Sequence, residues 1–457
     1  MRVFASGAAF FAFAIFAAPS AAPAAPAPLD LRAAVLYALD HDPTVLNRRA
    51  TVASNESVYA RDHAAEFPTL AGTLQNQLAK SNGNNGGTFT QFGLSQSQIF
   101  SQNTAQIGST FNLYNGSLAQ LQAQQAKRQV EGSREDLRRT EQQLAADVAA
   151  AFYNAVQQRE AAVLAAGDRV YQQQLLDVAR AQERVGRAAG VDVLRAQVNE
   201  LRSEASLTSA RAGAVNAVES LAQRIGAPPD TPFALPGTLP EPPLPQTPVD
   251  ALVAAALGAR ADVASARSQI AVARLADAAI ESDRRPQLQL TGAFGNNETP
   301  GQTQFAGIPG QSPARPGFWQ IGATETLTVP FIEYGARRAA HRAARAQIAA
   351  AEGTLSSVES GVATDVRQAL RAVQTASANL ATQREAQRLG AESARIAQLQ
   401  SRNGLISLTD ATAAEQSALS AANDLVAARV AYLNALARLR ASVGVADPLA
   451  IVEPGAP

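Results

Sequence analysis

The sequence predicts a mainly helical fold with a small amount of β-sheet, built from a helix, β-hairpin, long helix and helix unit that occurs twice. Three observations lead to this fold class. The two halves align at a constant shift of 218 positions, so that Pro68 meets Pro286 and Asp147 meets Asp365. After each proline the hydrophobic pattern changes from a period of about 3.6 residues to a period of about 2. Each half then contains about 67 residues without proline, far more than an average helix of about 11 residues.

The N-terminus has the layout of a secretory signal peptide, which we predict for residues 1–25. Arg2 precedes an apolar run that ends near Ala18, and small residues follow up to Ala25. The alternative is a membrane anchor, but the run is shorter than the roughly 20 apolar residues that a span needs. Later alanine-rich segments are interrupted by Arg, Gln, Glu or Asp in each turn, so a membrane part of this chain must consist of strands.

The composition excludes several classes of function. Lys plus Arg and Asp plus Glu balance at 39 each, so no basic surplus is available to bind nucleic acid. Because cysteine is absent, disulfides, thiolate metal sites and a lipid anchor on cysteine are excluded as well. His41, His63 and His341 are isolated from the acidic clusters that catalysis or metal binding uses. We therefore expect no enzyme and no catalytic, cofactor or metal site.

Each copy of the unit is predicted to be largely helical. The helices of repeat 1 (26–226) are predicted over 31–66, 116–184 and 189–225, and the long and return helices of repeat 2 (248–444) over 335–402 and 407–443. The first and return helices together match the long helix in length, so they can pack end to end along it. The linker 227–247 is too rich in proline for regular structure, and we expect it to cross the outside together with the tail 445–457.

Four amphipathic strands are predicted at 68–78, 104–114, 286–295 and 319–330, and Pro68 and Pro286 end the helices that precede them. Their apolar residues alternate with Gln and Thr. Each strand therefore has one apolar face and one polar face suited to contact with water, which we call the wet face. A soluble sheet that faces its own core has a similar pattern, but a length of about ten residues matches a tilted membrane strand. The residues predicted to face lipid are Leu70, Leu74, Leu78, Ile107, Phe111, Leu288, Leu290, Phe294, Trp319 and Ile321.

The last of these strands leaves two alternatives open. Glu325 interrupts its apolar face, which indicates either a position near the periplasmic rim or a slip in the register. Phe318 and Trp319 are typical of aromatic side chains at the lipid headgroups, and a plain packing role fits them equally well.

Four strands per chain cannot close a barrel, and unpaired strand edges are not tolerated in lipid. Two chains would give a barrel of about eight strands that side chains fill, whereas three chains give about twelve strands and leave room for a channel. The wet inner face favours three chains. The sequence therefore predicts a homotrimer, with a shared 12-stranded barrel and a helical tunnel about 100 Å deep formed by the long helices.

Several segments, in order and in both halves, resemble the TolC family of outer-membrane efflux proteins. ALDHDP at 38–43 and ARADVASAR at 259–267 look like the first-helix segments of that family, and FPTL and RPQLQL like its proline-led strands. NLYNG and VPFIEYG, which end at Gly116 and Gly335, resemble the start of its long helices. ERVGRAAGVDVLRAQ at 183–197 and SRNGLISLTDATAAEQ at 401–416 resemble its helix tips. The resemblance covers nearly the whole chain after the signal peptide.

This resemblance implies a passive exit duct in the Gram-negative outer membrane, embedded in outer-membrane lipid, with its helical tunnel in the periplasm. It also implies two partners, a periplasmic adaptor (membrane fusion protein) and an inner-membrane transporter. The adaptor would bind the tip grooves near Arg184, Gly186, Arg402 and Gly404.

The same resemblance places the gate of the duct at the periplasmic helix tips, where Asp192 and Asp410 occupy the positions of the family's gate acids. A second gate acid of the family corresponds to Ala413 here, and its basic partner to Ile406. We therefore expect a mixed gate, with a ring of Asp410 carboxylates and an apolar constriction from Leu405, Ile406 or Leu408. The alternative is that Asp192 and Asp410 only cap helices.

A second function remains open for the chain as a whole. A secreted periplasmic coiled-coil adaptor or structural spacer would share the long helices. The substrate also stays open among drugs, metals, siderophores and proteins, because a wide duct selects by size and charge.

Overall fold

The computed structural model describes most of the chain. The described residues are 30–82, 97–186, 189–228, 233, 235–236, 239–282, 284–298, 318–331, 335–403 and 405–445. The predicted signal peptide, the loops between paired strands, Gly404 and the tail beyond Val445 lie outside these residues. No helix within the described ranges has the length and apolar character needed to cross a membrane.

The order of elements repeats. Repeat 1 contains α1 (Leu31–His41), α2 (Pro43–Ala64), β1 (Thr69–Asn82), β2 (Ser97–Asn115), α3 (Leu118–Arg184) and α4 (Gly190–Ile225). Repeat 2 contains α5 (Val249–Ala259), α6 (Ala261–Ser282), β3 (Gln287–Glu298), β4 (Phe318–Thr328), α7 (Ala336–Arg402) and α8 (Leu408–Val443). Corresponding helices have equal lengths of 11, 22, 67 and 36 residues. The predicted duplicated, mainly helical fold is confirmed.

The prediction of one continuous helix over 31–66 was wrong. The chain leaves helical geometry at Asp42, where ψ is 125°, because the following Pro43 disfavours an α conformation in the residue before it. Asp42 then caps α2, accepting a hydrogen bond of 2.7 Å from the backbone N–H of Thr44. In repeat 2 the matching break falls at Arg260, where ψ is 130° although no proline follows.

The strands form one antiparallel sheet in the order β1-β2-β3-β4. β1 continues to Asn82 and β2 begins at Ser97, so both are longer than predicted. Residues directly opposite each other point to the same face, and one such row joins Gly72, Ile107, Phe294 and Ile321. The residues predicted to face lipid all fall on the face of this row.

Glu325 belongs to this same face, opposite Leu290. The pairing of β3 with β4 runs without interruption from Gln287 and Thr328 to Asn297 and Phe318. The register therefore does not slip, and Glu325 lies three residues from the end of β4 that leads to the helices.

The helices form a single layer. Near the sheet α3 packs between α2 and α6, and farther away it packs between α4 and α8. α7 packs against α6 and α8 and forms one edge of the layer, while α2 and α4 form the other. The main core lies where α1, α2 and the end of α4 meet on the middle of α3, around Phe152, Leu221 and Ile225. Each of these fully buried side chains stabilises the fold by about 1.5–3 kcal/mol.

The linker between the repeats crosses this layer as a strap. Phe233, Leu235 and Leu239 pack against the core. The guanidinium of Arg159 on α3 donates to the carbonyls of Leu235, at 2.6 Å, and Pro236, at 2.8 Å.

Farther along, Glu241 forms ion pairs with Arg384 on α7 and Arg429 on α8. The Tyr432 hydroxyl donates to the Pro242 carbonyl at 2.8 Å. The strap therefore ties both repeats together at mid-height.

Candidate functional site

The tip between α3 and α4 is a tight turn that ends in a capped helix. Gly186 has φ +72° with open space around it, so backbone conformation alone favours glycine there. Arg184 is the last residue of α3. Asp192 is the third residue of α4, where its carboxylate accepts a hydrogen bond of 3.3 Å from the N–H of Ala189. Arg195 lies 3.8 Å from the same carboxylate.

The tip between α7 and α8 repeats this arrangement with a stronger cap. Arg402 ends α7, and the N–H of Leu405 donates to the Gln400 carbonyl at 2.8 Å. The Ser407 hydroxyl accepts from the backbone N–H of Asp410 at 3.1 Å and donates to its carboxylate at 2.8 Å. Both predicted gate acids thus sit at the third position of a capping motif, where a negative charge is favourable. Their role in a charge ring stays a prediction.

A cleft of about 450 Å³ opens between the tips of α3, α4 and α8. It brings Asp192 and Leu408 together, and Gln172, Arg195 and Arg202 also line it. Asp410, Leu405 and Ile406 are not part of its lining.

The three predicted constriction residues have different environments. Leu408 packs against a small core formed by Leu176, Ala179, Val193 and Ala196. Ile406 is half-buried, whereas Leu405 is 73% exposed. Leu405 is therefore the most available of the three to narrow an opening.

The sequence analysis missed an acidic pair near the tips, formed by Glu415, about two turns from the start of α8, and Asp168, about four turns from the end of α3. Burial raises the pKa of Glu415 on α8, and the nearby charge of Asp168 on α3 raises it further. The side-chain amide of Gln172 donates to the Asp168 carboxylate at 3.1 Å. No local pattern could have shown this pair, because its two acids belong to different repeats.

At mid-height a larger cavity of about 1140 Å³ lies between α3, α7 and α8. Its lining is mostly polar or small, including Gln368, Asn379, Asn434 and Arg438. On α8 the cavity residues lie on the opposite side of the helix from Arg429 and Tyr432, which hold the strap. A polar surface of this kind is what the inner wall of a water-filled duct requires.

Arg260 forms a buried ionic junction at the edge of this cavity. Its guanidinium lies 2.7 Å from Asp262 and 3.0 Å from Asp365 of α7, and Arg139 of α3 lies 3.2 Å from Asp262. Burial by itself would raise the pKa of Asp262, but the hydrogen bond and charge of Arg260 and the charge of Arg139 hold it below its usual value. The junction therefore joins three helices at the α5–α6 break.

The apolar face of the sheet is open in the single chain. Leu74 and Ile321 are each 85% exposed on it, and the side chain of Leu78 lies outside the described part. Trp319 stacks on Phe294 with ring centroids 5.2 Å apart, a packing contact that leaves a role at the lipid headgroups as a prediction. The side chain of Phe318 is likewise outside the described part.

The expectation that His341 is isolated was wrong. Its Nδ1 lies 2.7 Å from Asp277 and its Nε2 lies 2.6 Å from Glu281, both on α6. The hydrogen bond with Asp277 raises the pKa of His341, and Glu281 adds to the effect. The two carboxylates contact opposite ring nitrogens, so the donors do not converge. Across the described residues no group of His, Asp or Glu is arranged to hold a metal ion.

Comparisons with known proteins agree with this geometry. The family model described as outer membrane efflux protein matches residues 36–227 and 252–445. The Campylobacter jejuni CmeC outer membrane channel is 16% identical, with a TM-score of 0.73 over 91% of this chain and 85% of that one.

The Neisseria gonorrhoeae MtrE outer membrane channel in its open state is 20% identical, with a TM-score of 0.69 over 91% of this chain and 88% of that one. A Pseudomonas aeruginosa membrane protein is 18% identical, with a TM-score of 0.72 over 91% and 90%. At these identities the solved structures establish the fold alone. Comparison with curated proteins gave no match. Because the family model covers both repeats, the chain belongs to the outer membrane efflux protein family.

Proposed function

We propose that three copies of this chain form one exit duct, in which β4 of each copy pairs with β1 of the next to close a 12-stranded barrel. As a member of its family, the chain is an outer-membrane efflux channel whose helical tunnel lies in the periplasm. Membership therefore decides against the coiled-coil adaptor or spacer considered from the sequence. The family is a family of channels and not of enzymes, and we extend this to propose that the chain has no enzymatic activity of its own.

The main support for a trimer is the four-stranded sheet, which does not close on itself within one chain. One face of this sheet exposes apolar side chains, the other carries Thr and Gln, and β1 and β4 have no partner strand on their outer edges among the described residues. Lipid does not tolerate unpaired strand edges, so the edges must be joined to other copies. Three copies leave an aqueous lumen behind the wet face.

The edge helices support the same assembly. Exposed apolar residues recur at helical spacing on α4, at Val191, Leu194, Val198 and Leu201, and on α7, at Leu389, Ile396 and Leu399. On both helices this stripe lies nearly opposite the side that packs within the chain, at about 100° per residue. The α4 stripe of one copy can therefore pack against the α7 stripe of the next, as in a closed ring of helices.

Engineered cysteines test this arrangement, since the natural sequence has none. Leu194→Cys combined with Leu399→Cys places one thiol on each edge helix, both within about a turn of the tips. Oxidation should give covalent dimers and trimers and nothing larger. In the control, Leu194→Cys is combined with Val163→Cys. Val163 is exposed on α3, away from an edge of the layer, so the control should give no covalent dimers or trimers. Cross-links that continue past three chains, or that stay within one chain, would reject the closed trimer.

We also propose that the tips form the gate and bind a periplasmic adaptor, which links the duct to an inner-membrane transporter. Arg184, Gly186, Arg402 and Gly404 would lie at the adaptor grooves. The exposure of Leu405 and the exposed capping acid Asp410 support a gate that combines apolar and charged groups.

Two single replacements, one at Asp410 and one at Ser407, separate a charge ring from a helix cap. Asp410→Asn removes the charge but keeps a side-chain oxygen for the cap, whereas Ser407→Ala weakens the cap and keeps the charge. The ring predicts that only Asp410→Asn reduces cation selectivity in single-channel recordings. Equal selectivity of Asp410→Asn and the parent protein would reject the ring.

A further inference from the structure

α7 begins with a dense run of basic side chains directly after the sheet. Its first ten residues include Arg337, Arg338, His341, Arg342 and Arg345, and its first acidic residue is Glu352. The residues Arg338, Arg342 and Arg345 have the spacing i, i+4 and i+7 and therefore share one face of the helix. All three are exposed. We call these three arginines the basic face.

The ion pairs in this part of α7 are made by other residues, on the adjoining side of the helix that faces α6. His341 contacts Asp277 and Glu281 of α6, and Glu352 contacts Arg274 of α6 at 2.9 Å. At about 100° per residue, the centre of the basic face lies about 60° from that side, and Arg345 lies about 20° from Glu352. Among the described residues, none of its three guanidinium groups takes part in an ion pair; Arg342 only approaches the Arg338 carbonyl, at 3.4 Å.

The basic face also points away from the cavity. The seven α7 residues that line the cavity are centred about 150° around the helix axis from the three arginines. In the proposed trimer the cavity faces the lumen. The arginines therefore face away from the lumen.

Helix architecture does not account for these arginines. The first turn of α7 contains no acid, and the positive end of the helix dipole opposes basic side chains there. α3 is the same helix of repeat 1, with the same length, and it carries Gln120, Gln124 and Lys127 at the matching positions. The repeat can thus be built with one charge at these sites instead of three.

The position along the duct indicates what the basic face contacts. Phe67 precedes β1, Tyr114 lies near the end of β2 and Phe331 follows β4, and all three are exposed aromatic residues at the helix-side rim of the sheet. Aromatic girdles of this kind mark the boundary between lipid tails and headgroups. The three arginines follow roughly 3, 9 and 14 Å along α7, and a headgroup layer is about 5–8 Å thick. Long arginine side chains can reach back into it.

We propose that the basic face binds anionic phospholipid headgroups of the periplasmic leaflet of the outer membrane. This rests on the proposed function, because it requires the sheet to be embedded in a bilayer with the helices on the periplasmic side. One arginine beside an anionic membrane surface strengthens binding about fivefold, so three together should give roughly a hundredfold preference for anionic over zwitterionic lipid. A closed trimer would present the face three times around its base.

The test counts lipid bound to the intact trimer in detergent by native mass spectrometry. Phosphatidylglycerol, phosphatidylcholine and inorganic phosphate are titrated separately. The variant Arg338→Gln/Arg342→Gln/Arg345→Gln gives α7 a neutral polar face at these positions. A matched control, Arg211→Gln/Arg367→Gln/Arg371→Gln, removes the same number of exposed charges far from the sheet. Replacement of the basic face by three lysines keeps the charge.

We expect the parent, the control and the lysine variant to retain phosphatidylglycerol, and the glutamine variant to lose most of its preference, by at least about tenfold. Equal retention by the glutamine variant and the parent overturns the proposal. Displacement of the lipid by an equal concentration of phosphate also overturns it, because the site would then bind a free anion. If the glutamine variant falls apart into monomers in either lipid, the arginines instead contact a neighbouring copy. Failure of the parent itself to form a bilayer channel would overturn the proposed function and not this site.

Discussion

Replacing Arg260 with alanine is expected to loosen the junction between α5 and α6. The guanidinium is 13% exposed and contacts Asp262, which is 9% exposed, so the variant leaves a nearly buried carboxylate without its closest cation. It also removes the contact with Asp365 and a hydrogen bond of 3.5 Å to the Ser442 carbonyl.

The size of the effect follows from what remains around Asp262. Breaking a buried ion pair by removing one partner costs about 3–5 kcal/mol. Arg139 still lies 3.2 Å from the carboxylate and the Val263 N–H still donates at 3.0 Å, so part of the compensation survives. Asp365 is 53% exposed and adds no more than about 1 kcal/mol. We therefore expect a loss of about 2–3 kcal/mol in the local free energy of unfolding.

Hydrogen exchange of the folded protein measures the local free energy of unfolding at the start of α6. A loss of about 2–3 kcal/mol corresponds to roughly 30- to 150-fold faster exchange of amides at the start of α6, such as Ala264, which bonds to the Arg260 carbonyl. The control, Arg267→Ala, lies on α6 as well and removes a solvent-exposed pair with Glu359 of α7, so exchange should rise no more than about fivefold. If Arg260→Ala increases exchange no more than Arg267→Ala does, the ion pairs of Arg260 do not stabilise the break between α5 and α6.

Three further outcomes are expected. Gly444→Ala should lower the thermal unfolding temperature and destabilise the chain by about 2 kcal/mol or more, because φ is +79° and a Cβ would lie 2.8 Å from Arg260. The pKa of His341 is raised by its acidic partners, so protonated His341 stabilises the first turns of α7 at low pH, and this stabilisation is lost as pH rises through the raised pKa. In His341→Gln, amide exchange in the first turns of α7 should no longer depend on pH through the protonation of this side chain. Leu74→Arg on the apolar face should make the free energy of folding into a bilayer less favourable by about 2–4 kcal/mol, whereas Thr73→Arg on the wet face should change this free energy little.

The parts of the fold that depend on local signals could be predicted from the sequence. The long helices were predicted over 116–184 and 335–402, and they run over Leu118–Arg184 and Ala336–Arg402, because glycines at their starts and tips act within a few residues. The break at Arg260 had no such signal. Its conformation is held by Asp365 and the Ser442 carbonyl, which are more than 100 residues away in the chain.

The candidate site divides in the same way. Asp192 and Asp410 could be placed at helix starts because capping motifs are local. The burial of Leu408 against α3 and α4, the pairing of Glu415 with Asp168 and the contacts of His341 with α6 depend on how the helices pack, and helical periodicity does not specify which helix becomes a neighbour. The sequence showed which strand residues share a face, because a period of about 2 is independent of the partner strand.

The two repeats solve the same electrostatic problem with different residues. Asp147 on α3 and Asp365 on α7 are equivalent positions, and each has a cation beside it at the junction of the short helices. In repeat 1 that cation is Arg224 at the end of α4, and the break residue Asp42 is free to cap α2. In repeat 2 the position equivalent to Arg224 is Ser442, and the break residue Arg260 supplies the cation.

The carboxylate at the second break accordingly lies two residues later, at Asp262, where it holds Arg260 and accepts from the N–H of Val263. A bound arginine thus fixes an extended residue that Pro43 fixes by sterics in repeat 1. Each repeat thus has one cation beside its aspartate and one constraint on the break residue, and the two repeats take them from different elements. This explains why the aspartate is shared by both repeats, while the proline and the arginine are not.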